Sequence, residues 1–212
     1  MVRVVSLGSG AAGEEAFGLT VAALAGGELV IFPTDTLYAI GCRARDAAAV
    51  ERVRRAKGRD DRKPLPLVIA DREQLAELCS RLPRLLTPLA ERFWPGPLSL
   101  VVPADAAVPE AVTRATGTVA VRVPALEFVR RICERVGPVV STSANRSGGP
   151  APATCEAAVR EVGEFAVLAV DGGEGRSTPS TVVDLTGEEP QLLRAGAVPW
   201  DAVKAALRSA PS

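Results

Sequence analysis

Short apolar runs rich in branched residues recur along this chain with helical stretches between them, and that alternation most restricts what it can fold into. ELVIF (28–32), PLVIA (66–70), LSLVV (98–102), TVAVRV (118–123) and GPVVST (137–142) each have the length and composition of a buried strand. Between them the pattern predicts a helix over 13–25 closed by Gly26 and Gly27, and a second capped by Asp46, running through VERVRRAK and stopped by Gly58. Further helical stretches fall near 72–80 and 83–93, over 125–136, and from Thr154 onward. Strands near 166–170, 181–185 and 191–194 then follow one another without intervening helices, which argues α/β with a mixed sheet. No internal repeat or linker divides the chain. A single domain over residues 1–212 is expected, with enough apolar material, 47% of residues, to bury a substantial core.

Charge and residue usage then remove whole classes of function. With 25 basic residues against 25 acidic ones, this is no cationic coat for nucleic acid, and two Trp, one Tyr and five Phe leave little for base stacking. There is no histidine, so neither a Ser-His or Cys-His nucleophile nor a Cys/His zinc site can be assembled. Cys42, Cys79, Cys133 and Cys155 are scattered without a CxxC pair, and none is expected to be catalytic. Cys79 and Cys133 read as core, whereas Cys42 is expected to be the most exposed. No stretch approaches the ~20 apolar residues of a membrane span, and the first residues lack a signal-peptide core, so a cytoplasmic location is expected.

Against that neutral background, KGRDDRK places four cations between Lys57 and Lys63. Like charges ~7 Å apart near a surface repel by ~2 kcal/mol per pair, which Asp60 and Asp61 offset only in part. The segment is either a solvated loop or one wall of a polyanion site. A different anion motif stands at the start, where VRVVSL runs into GSGAAG and a helix, in the manner of a dinucleotide-binding turn. Glu14 and Glu15 would open that helix where a pyrophosphate should sit, so a flexible glycine turn is the preferred reading.

Three polar loops directly follow strands, where open α/β sheets collect ligands. PTDTLYAIG (33–41) offers Thr34, Thr36 and Tyr38; STSANRSGG (141–149) offers Ser141, Thr142, Ser143 and Asn145; GGEGRSTPSTVVD (172–184) offers Arg176, Ser177, Ser180 and Thr181. Each alone could be a simple turn. Together with the cationic segment they supply hydroxyl, amide and cationic donors suited to a nucleoside triphosphate.

PTDTLYAIG, KGRDDRKPLPLVIAD, WPGPLSLVV, VAVRVP, STSANRSGGPAP, STVVD and LLRAG, in this order over roughly residues 20–200, resemble the YrdC-like family. The resemblance implies a twisted mixed α/β sheet curled around a positively charged cavity, the YrdC-like fold. It implies the activity of threonylcarbamoyl-AMP synthases, nucleotidyltransferases that join L-threonine, bicarbonate and ATP into threonylcarbamoyl-AMP and pyrophosphate for tRNA modification. The family's Lys-x-Arg pair falls on Lys57 and Arg59, expected to face the polyphosphate and the carboxylate it reacts with, and its Ser-x-Asn on Ser143 and Asn145. Arg194 with the Ser180 and Thr181 hydroxyls would complete the phosphate cradle, and Arg122 would stand at the nucleotide end. Thr34 and Tyr38, with Arg59, would line the threonine pocket.

The resemblance further implies Mg2+ carried by the ATP phosphates and water without a protein metal site, downstream tRNA-modifying proteins as partners, and at most a weak contact with tRNA or RNA. Ala39 stands where the family often has Gly, Asp60 where it often has Pro, and LLRAG replaces a commoner Arg-Pro-Gly. The chain resembles the short form without a C-terminal extension. Two alternatives remain at this point. One is a carbamoyl-transfer enzyme of the hydrogenase-maturation type; the other is a double-stranded-RNA-binding module, whose affinity would fall steeply with salt.

Overall fold

The computed structural model describes residues 1–58, 63–79, 81–175 and 178–208. Among the described residues, eleven strands form two mixed sheets where one was expected. The first sheet contains β1 (Arg3–Ser6), β2 (Val30–Phe32), β3 (Ala39–Gly41), β8 (Thr142–Ser143) and β9 (Leu168–Asp171), in the order β1-β9-β2-β3-β8. The second contains β4 (Leu67–Val68), β5 (Leu98–Pro103), β6 (Thr118–Arg122), β7 (Val139–Val140), β10 (Thr181–Asp184) and β11 (Gln191–Arg194), in the order β11-β10-β5-β6-β4-β7. Pairing is parallel for β1/β9, β2/β9, β4/β6 and β5/β10, and antiparallel elsewhere.

The division into two sheets falls inside segments that read as a loop or as one strand. GPVVST breaks after Val140: β7 pairs with β4 of one sheet and β8 with β3 of the other. At this crossing the Val140 amide donates to the Cys42 carbonyl at 2.8 Å. Gly41 lies against the Val140 carbonyl so closely that a Cβ would collide with it. The sheets therefore meet where glycine allows backbone against backbone. This also corrects the expectation for Cys42, which is fully buried because the chain past Gly41 runs through the seam.

Among the described residues, seven α-helices flank the sheets: α1 (Ala11–Ala25), α2 (Ala47–Ala56), α3 (Leu86–Phe93), α4 (Glu110–Thr113), α5 (Glu127–Val136), α6 (Cys155–Val162) and α7 (Trp200–Arg208). The local signals explain several boundaries. Asp46 Oδ1 accepts the Ala49 amide at 2.9 Å and Thr154 Oγ1 the Ala157 amide at 3.2 Å, one N-cap each. Gly27 and Gly58, at φ +77° and +67°, leave helical geometry after α1 and α2. The stretch near 72–80 is a 3₁₀ helix over Glu73–Glu77 and not α-helical, and α4 and α7 were not foreseen. The glycine turn of GSGAAG does join a strand to a helix, but β1 is a sheet edge, whereas the dinucleotide fold places that strand centrally. Glu14, in the first turn of α1, pairs with Arg131 at 2.8 Å. Among the described residues no helix is long and apolar enough to cross a membrane.

Candidate active site

The six-stranded sheet buries one face and leaves the other lining a cavity of about 650 Å³. Strand periodicity sorts the side chains. Leu98, Leu100 and Val102 of β5, Val119 and Val121 of β6, and Val183 of β10 enter the core. Ser99 and Val101, Thr118, Ala120 and Arg122, and Ser180, Val182 and Asp184 line the cavity. The opposite wall comes from the first sheet: Thr34, Thr36, Leu37, Tyr38 and Ala39 from the turn entering β3, and Ser141–Ser143 around β8. A volume of this size suits a nucleotide-sized ligand.

Arg122 and Arg194 stand at one end. Arg122, in a side chain only 8% exposed, donates from Nη1 to Asp35 Oδ1 at 2.7 Å. Arg194 belongs to the exposed edge strand β11 but folds its guanidinium inward, donating from Nε and Nη2 to the Ser180 carbonyl at 3.0 and 2.8 Å and from Nη2 to Ser180 Oγ at 2.9 Å. Ser180 Oγ also shares a hydrogen bond with Ser99 at 3.0 Å. Gly196 fixes this fork from behind: a Cβ there would stand 2.5 Å from the Pro179 carbonyl. Burial of the Arg194 guanidinium, and then the neighbouring positive charge of Arg122, push its pKa below the usual arginine value. Two guanidiniums held this way in a partly dry cavity favour an anion between them. Lys63 joins them on the lining, against Asp184 as the lining carboxylate.

The residues implied by the YrdC-like resemblance fall into distinct groups. Ser143, Ser180, Arg122, Arg194, Thr34 and Tyr38 all border the cavity. Thr181 does not: it is fully buried, donates to the Val198 carbonyl at 2.7 Å and accepts the Val198 amide at 3.0 Å. Its assignment to the phosphate cradle is therefore corrected, since adjacent strand residues point to opposite faces and Ser180 takes the cavity side. Lys57 is also turned away from open space. Its buried ammonium reaches the Ser143 and Asn145 carbonyls, both at 2.6 Å, with Asn145 Oδ1 at 3.0 Å and Ser143 Oγ at 3.3 Å. Asn145 in turn donates from Nδ2 to the Gly149 carbonyl at 2.6 Å, so the Lys-x-Arg and Ser-x-Asn motifs meet as a knot that shapes the loop after β8. Arg59, Arg176 and Ser177 lie outside the described residues.

The turn facing the arginines is internally braced. Thr34 Oγ1 accepts the Thr36 and Leu37 amides at 3.1 and 3.2 Å and donates to the Leu37 carbonyl at 2.7 Å. Tyr38 has a fully buried side chain; its hydroxyl donates to the Gly173 carbonyl at 2.6 Å and accepts the Gly172 amide at 3.0 Å. Burial raises the phenol to about 12. The tyrosine thus latches the turn to the loop after β9, and its hydroxyl is not presented to a ligand. Ser99, Thr116, Thr118 and Asp184 were not singled out from the sequence; for Ser99, Thr118 and Asp184 the signal was the polar phase of the period-two pattern in strands otherwise read as apolar, whereas Thr116 stands in the turn before β6.

The site is thus a hydroxyl-lined cavity of a mixed-sheet α/β protein that also carries Lys63, Arg122 and Arg194 on its lining. The comparisons narrow this: residues 22–196 match the Sua5/YciO/YrdC family model, which carries the description "Telomere recombination". The chain belongs to this family. It is 42% identical over 180 residues to a threonylcarbamoyl-AMP synthase of Pyrococcus abyssi, a match covering 84% of this chain and 53% of that protein. A putative threonylcarbamoyl-AMP synthase of Mycobacterium tuberculosis is 36% identical over 188 residues, covering 88% of this chain and 87% of the relative. The crystal structure of P. abyssi Sua5 complexed with L-threonine superimposes with a TM-score of 0.90 at 38% identity, over 97% of this chain and 60% of that one. The chain thus spans little more than half of the Pyrococcus protein and most of the Mycobacterium one.

Proposed function

We propose that the cavity makes L-threonylcarbamoyl-AMP from L-threonine, bicarbonate and ATP, with release of pyrophosphate. The observation that carries the reading is the Arg122–Arg194 end of the cavity facing the braced Thr34–Tyr38 turn, in a chain whose relatives bear the name of this synthase. Threonine as the amino acid is supported by its presence in the P. abyssi Sua5 complex.

The chemistry needs no protein nucleophile. Bicarbonate takes up a proton and loses water to give carbon dioxide; the neutral threonine amine adds to it and releases a proton as the carbamate forms. A carbamate oxygen then attacks the α-phosphorus in line; the bond to the bridging oxygen breaks and its electron pair leaves with pyrophosphate. What the protein supplies is position and charge neutralisation. Arg194, fixed on Ser180, and Arg122, fixed on Asp35, face the phosphates with their remaining N–H groups, while Ser99, Thr118 and Ser143 offer hydroxyls along the wall. Among the described residues no cluster of carboxylates could hold a metal, and Asp184 already accepts the Thr186 amide and hydroxyl through Oδ1. We expect magnesium to arrive on the nucleotide, held by phosphate oxygens and water. The adenylate would pass to proteins that modify tRNA, in the cytoplasm.

Mass spectrometry of the products formed from ATP, bicarbonate and L-threonine tests the reading; the adduct and stoichiometric pyrophosphate are expected. Turnover of carbamoyl phosphate in place of threonine and bicarbonate would assign the cavity to carbamoyl transfer. Salt-sensitive binding of double-stranded RNA without ATP turnover would make it an RNA module.

A further inference from the structure

Two stretches of the cavity wall have few backbone bonds of their own to hold them. Lys63, Pro64 and Pro66, on the approach to β4, line the cavity, and so do Thr116 and Thr118, which follow α4. Pro64 and Pro66 have no N–H to give a neighbouring strand, so no regular ladder can hold the first stretch. Leu65 between them donates its amide to the Val112 carbonyl at 2.9 Å, and the Pro66 carbonyl accepts the Ser141 amide at 2.9 Å. The second stretch hangs from α4, which has four residues and is too short to persist unaided. Arg114 and Ala115 follow it at φ +52° and +60°, a left-handed pair that residues other than glycine adopt only where their surroundings hold them. Thr116 Oγ1 then donates back to the Thr113 carbonyl at 2.7 Å.

One side chain reaches both stretches. Arg54, in the last turn of α2, is 5% exposed and is not among the cavity-lining residues. It donates from Nη1 to the Lys63 carbonyl at 3.2 Å, from Nε to the Ala111 carbonyl at 2.8 Å and from Nη2 to the Val112 carbonyl at 3.3 Å. The Val112 carbonyl therefore receives both Arg54 and Leu65, and the C-terminal end of α4 is capped by a cation from another helix. A planar fork of donors can span carbonyls on two segments, which the single point of a lysine ammonium cannot. A guanidinium is costly to bury, and packing alone at this position would be met by an apolar side chain.

We propose that Arg54 is a positioning residue: it fixes Lys63 on the cavity wall, and the turn carrying Thr116 with it, in the geometry the reaction uses. This rests on the proposed function, which supplies the reaction. The Lys63 side chain leaves a backbone whose carbonyl is the atom Arg54 holds, so release of that carbonyl swings the ammonium. The cationic segment is thus tied at its first residue, Lys57, by Ser143 and Asn145, and at its last, Lys63, by Arg54.

The test compares the full chain with Arg54→Met, Arg54→Lys, Lys63→Met and the Arg54→Met/Lys63→Met double variant. Pyrophosphate release is measured well below each Tm, and amide hydrogen exchange is followed on the same proteins without ligand. Arg54→Met should lower kcat/KM about tenfold or more, and Arg54→Lys should recover part of the loss. Because Arg54 acts through Lys63, the loss caused by Arg54→Met should shrink to within about twofold in the Lys63→Met background. Exchange should quicken in peptides covering 63–69 and 110–118 and stay unchanged over 127–140. An Arg54→Met protein with kcat/KM within about twofold of wild type and a lower Tm as its only defect overturns the proposal, as does a loss that multiplies in full with that of Lys63→Met. Should Arg54→Met not fold, Arg54→Lys decides by the same signs. If the wild type forms no adduct, the proposed function falls and the exchange measurement alone decides this inference. Faster exchange confined to those two stretches then supports it, and exchange that is unchanged there, or faster throughout the chain, overturns it.

Discussion

Lys57 and Arg194 are both basic, both near the cavity, and both turned onto the backbone of a serine, yet their surroundings differ in kind. Lys57 is 8% exposed and its ammonium meets four oxygens, more acceptors than it has protons. Arg194 lies on an edge strand, and its Nη1 has no partner among the described residues. A cation with every proton committed holds structure together. One with an N–H to spare, beside a second guanidinium, is arranged for a ligand. Lys57, one half of the motif that most suggested polyphosphate contact, thus gives the loop after β8 its shape; Arg59, the other half, lies outside the described residues.

The largest effect should follow from breaking the committed side. Lys57→Met strips a buried loop of its cation and leaves the Asn145 and Ser143 oxygens without a donor, costing about 2–4 kcal/mol. For a chain of this size that lowers Tm by roughly 4–16 °C. Activity should fall with it, because Ser143 loses its place on the cavity wall. A Lys57→Met protein with wild-type Tm and a lost response to nucleotide would instead return the ammonium to the ligand side.

The converse variant sharpens the contrast. Arg194→Met should keep Tm within about 2 °C, since Ser180 borders the open cavity and its carbonyl can be hydrated once the guanidinium is gone. It should lower kcat/KM about 100-fold, the loss expected for one charge-assisted contact in a partly dry site, about 2–3 kcal/mol. Steady-state pyrophosphate release and calorimetric melting on the same preparations separate the two outcomes. A large drop in Tm for Arg194→Met would erase the distinction drawn between the two cations.

A finer version of the same comparison exists at the start of one strand. Ser180, just before β10, and Thr181, its first residue, are neighbours with opposite faces: the first lines the cavity, and the second bonds twice to Val198. Thr181→Val should cost about 1–2 kcal/mol of stability and leave KM for ATP unchanged. Ser180→Ala should raise that KM by about threefold to tenfold, through the loosened Arg194 fork, with little change in stability. If the two variants exchange these phenotypes, the strand's facing has been misread.

These pairs also show what the sequence could and could not reveal. Strands at 98–102, 118–123 and 181–185 were legible because apolar β-branched runs of that length have few other uses, and the Asp46 and Thr154 caps were legible because their chemistry is local. The split into two sheets was not, since it depends on a close approach between Gly41 and Val140, which lie far apart in sequence. Most cavity residues came from recognising ordered motifs, and that recognition could not say which motif atoms face inward. Thr181 was assigned wrongly for that reason: STVVD announces a polar strand entry, and only the register tells which hydroxyl the core takes. Asp35 reads as part of a turn after Pro33, because the arginine it meets, Arg122, lies far away in sequence.

The smallest effect concerns the other committed group, the Tyr38 latch, and is read with alkali. Burial raises the Tyr38 phenol to about 12, with nearby Asp171 adding to the rise, and raises the Cys42 thiol likewise to about 12. In the unfolded chain these groups titrate near 10 and about 8.5–9. Both folded values lie above the unfolded ones, so folding favours the protonated forms. That contribution is complete below about pH 9 and is lost as pH rises toward 12, because the unfolded state then releases protons that the folded state retains. The denaturation midpoint should therefore be flat up to about pH 9 and decline beyond it. Tyr38 is the chain's one tyrosine, so ultraviolet absorbance of phenolate reports it without interference. In native protein phenolate should be missing at about pH 10.5 and appear only as the fold is lost, whereas in denaturant it should appear near 10. Tyr38→Phe should remove the latch to Gly172 and Gly173, costing about 1–2 kcal/mol, and should flatten part of the alkaline decline while leaving the share of Cys42 and the other cysteines, whose thiols burial also raises. A native phenol that titrates near 10 would mean that the hydroxyl is solvated and available at the cavity, restoring Tyr38 as a candidate for direct contact with the amino acid.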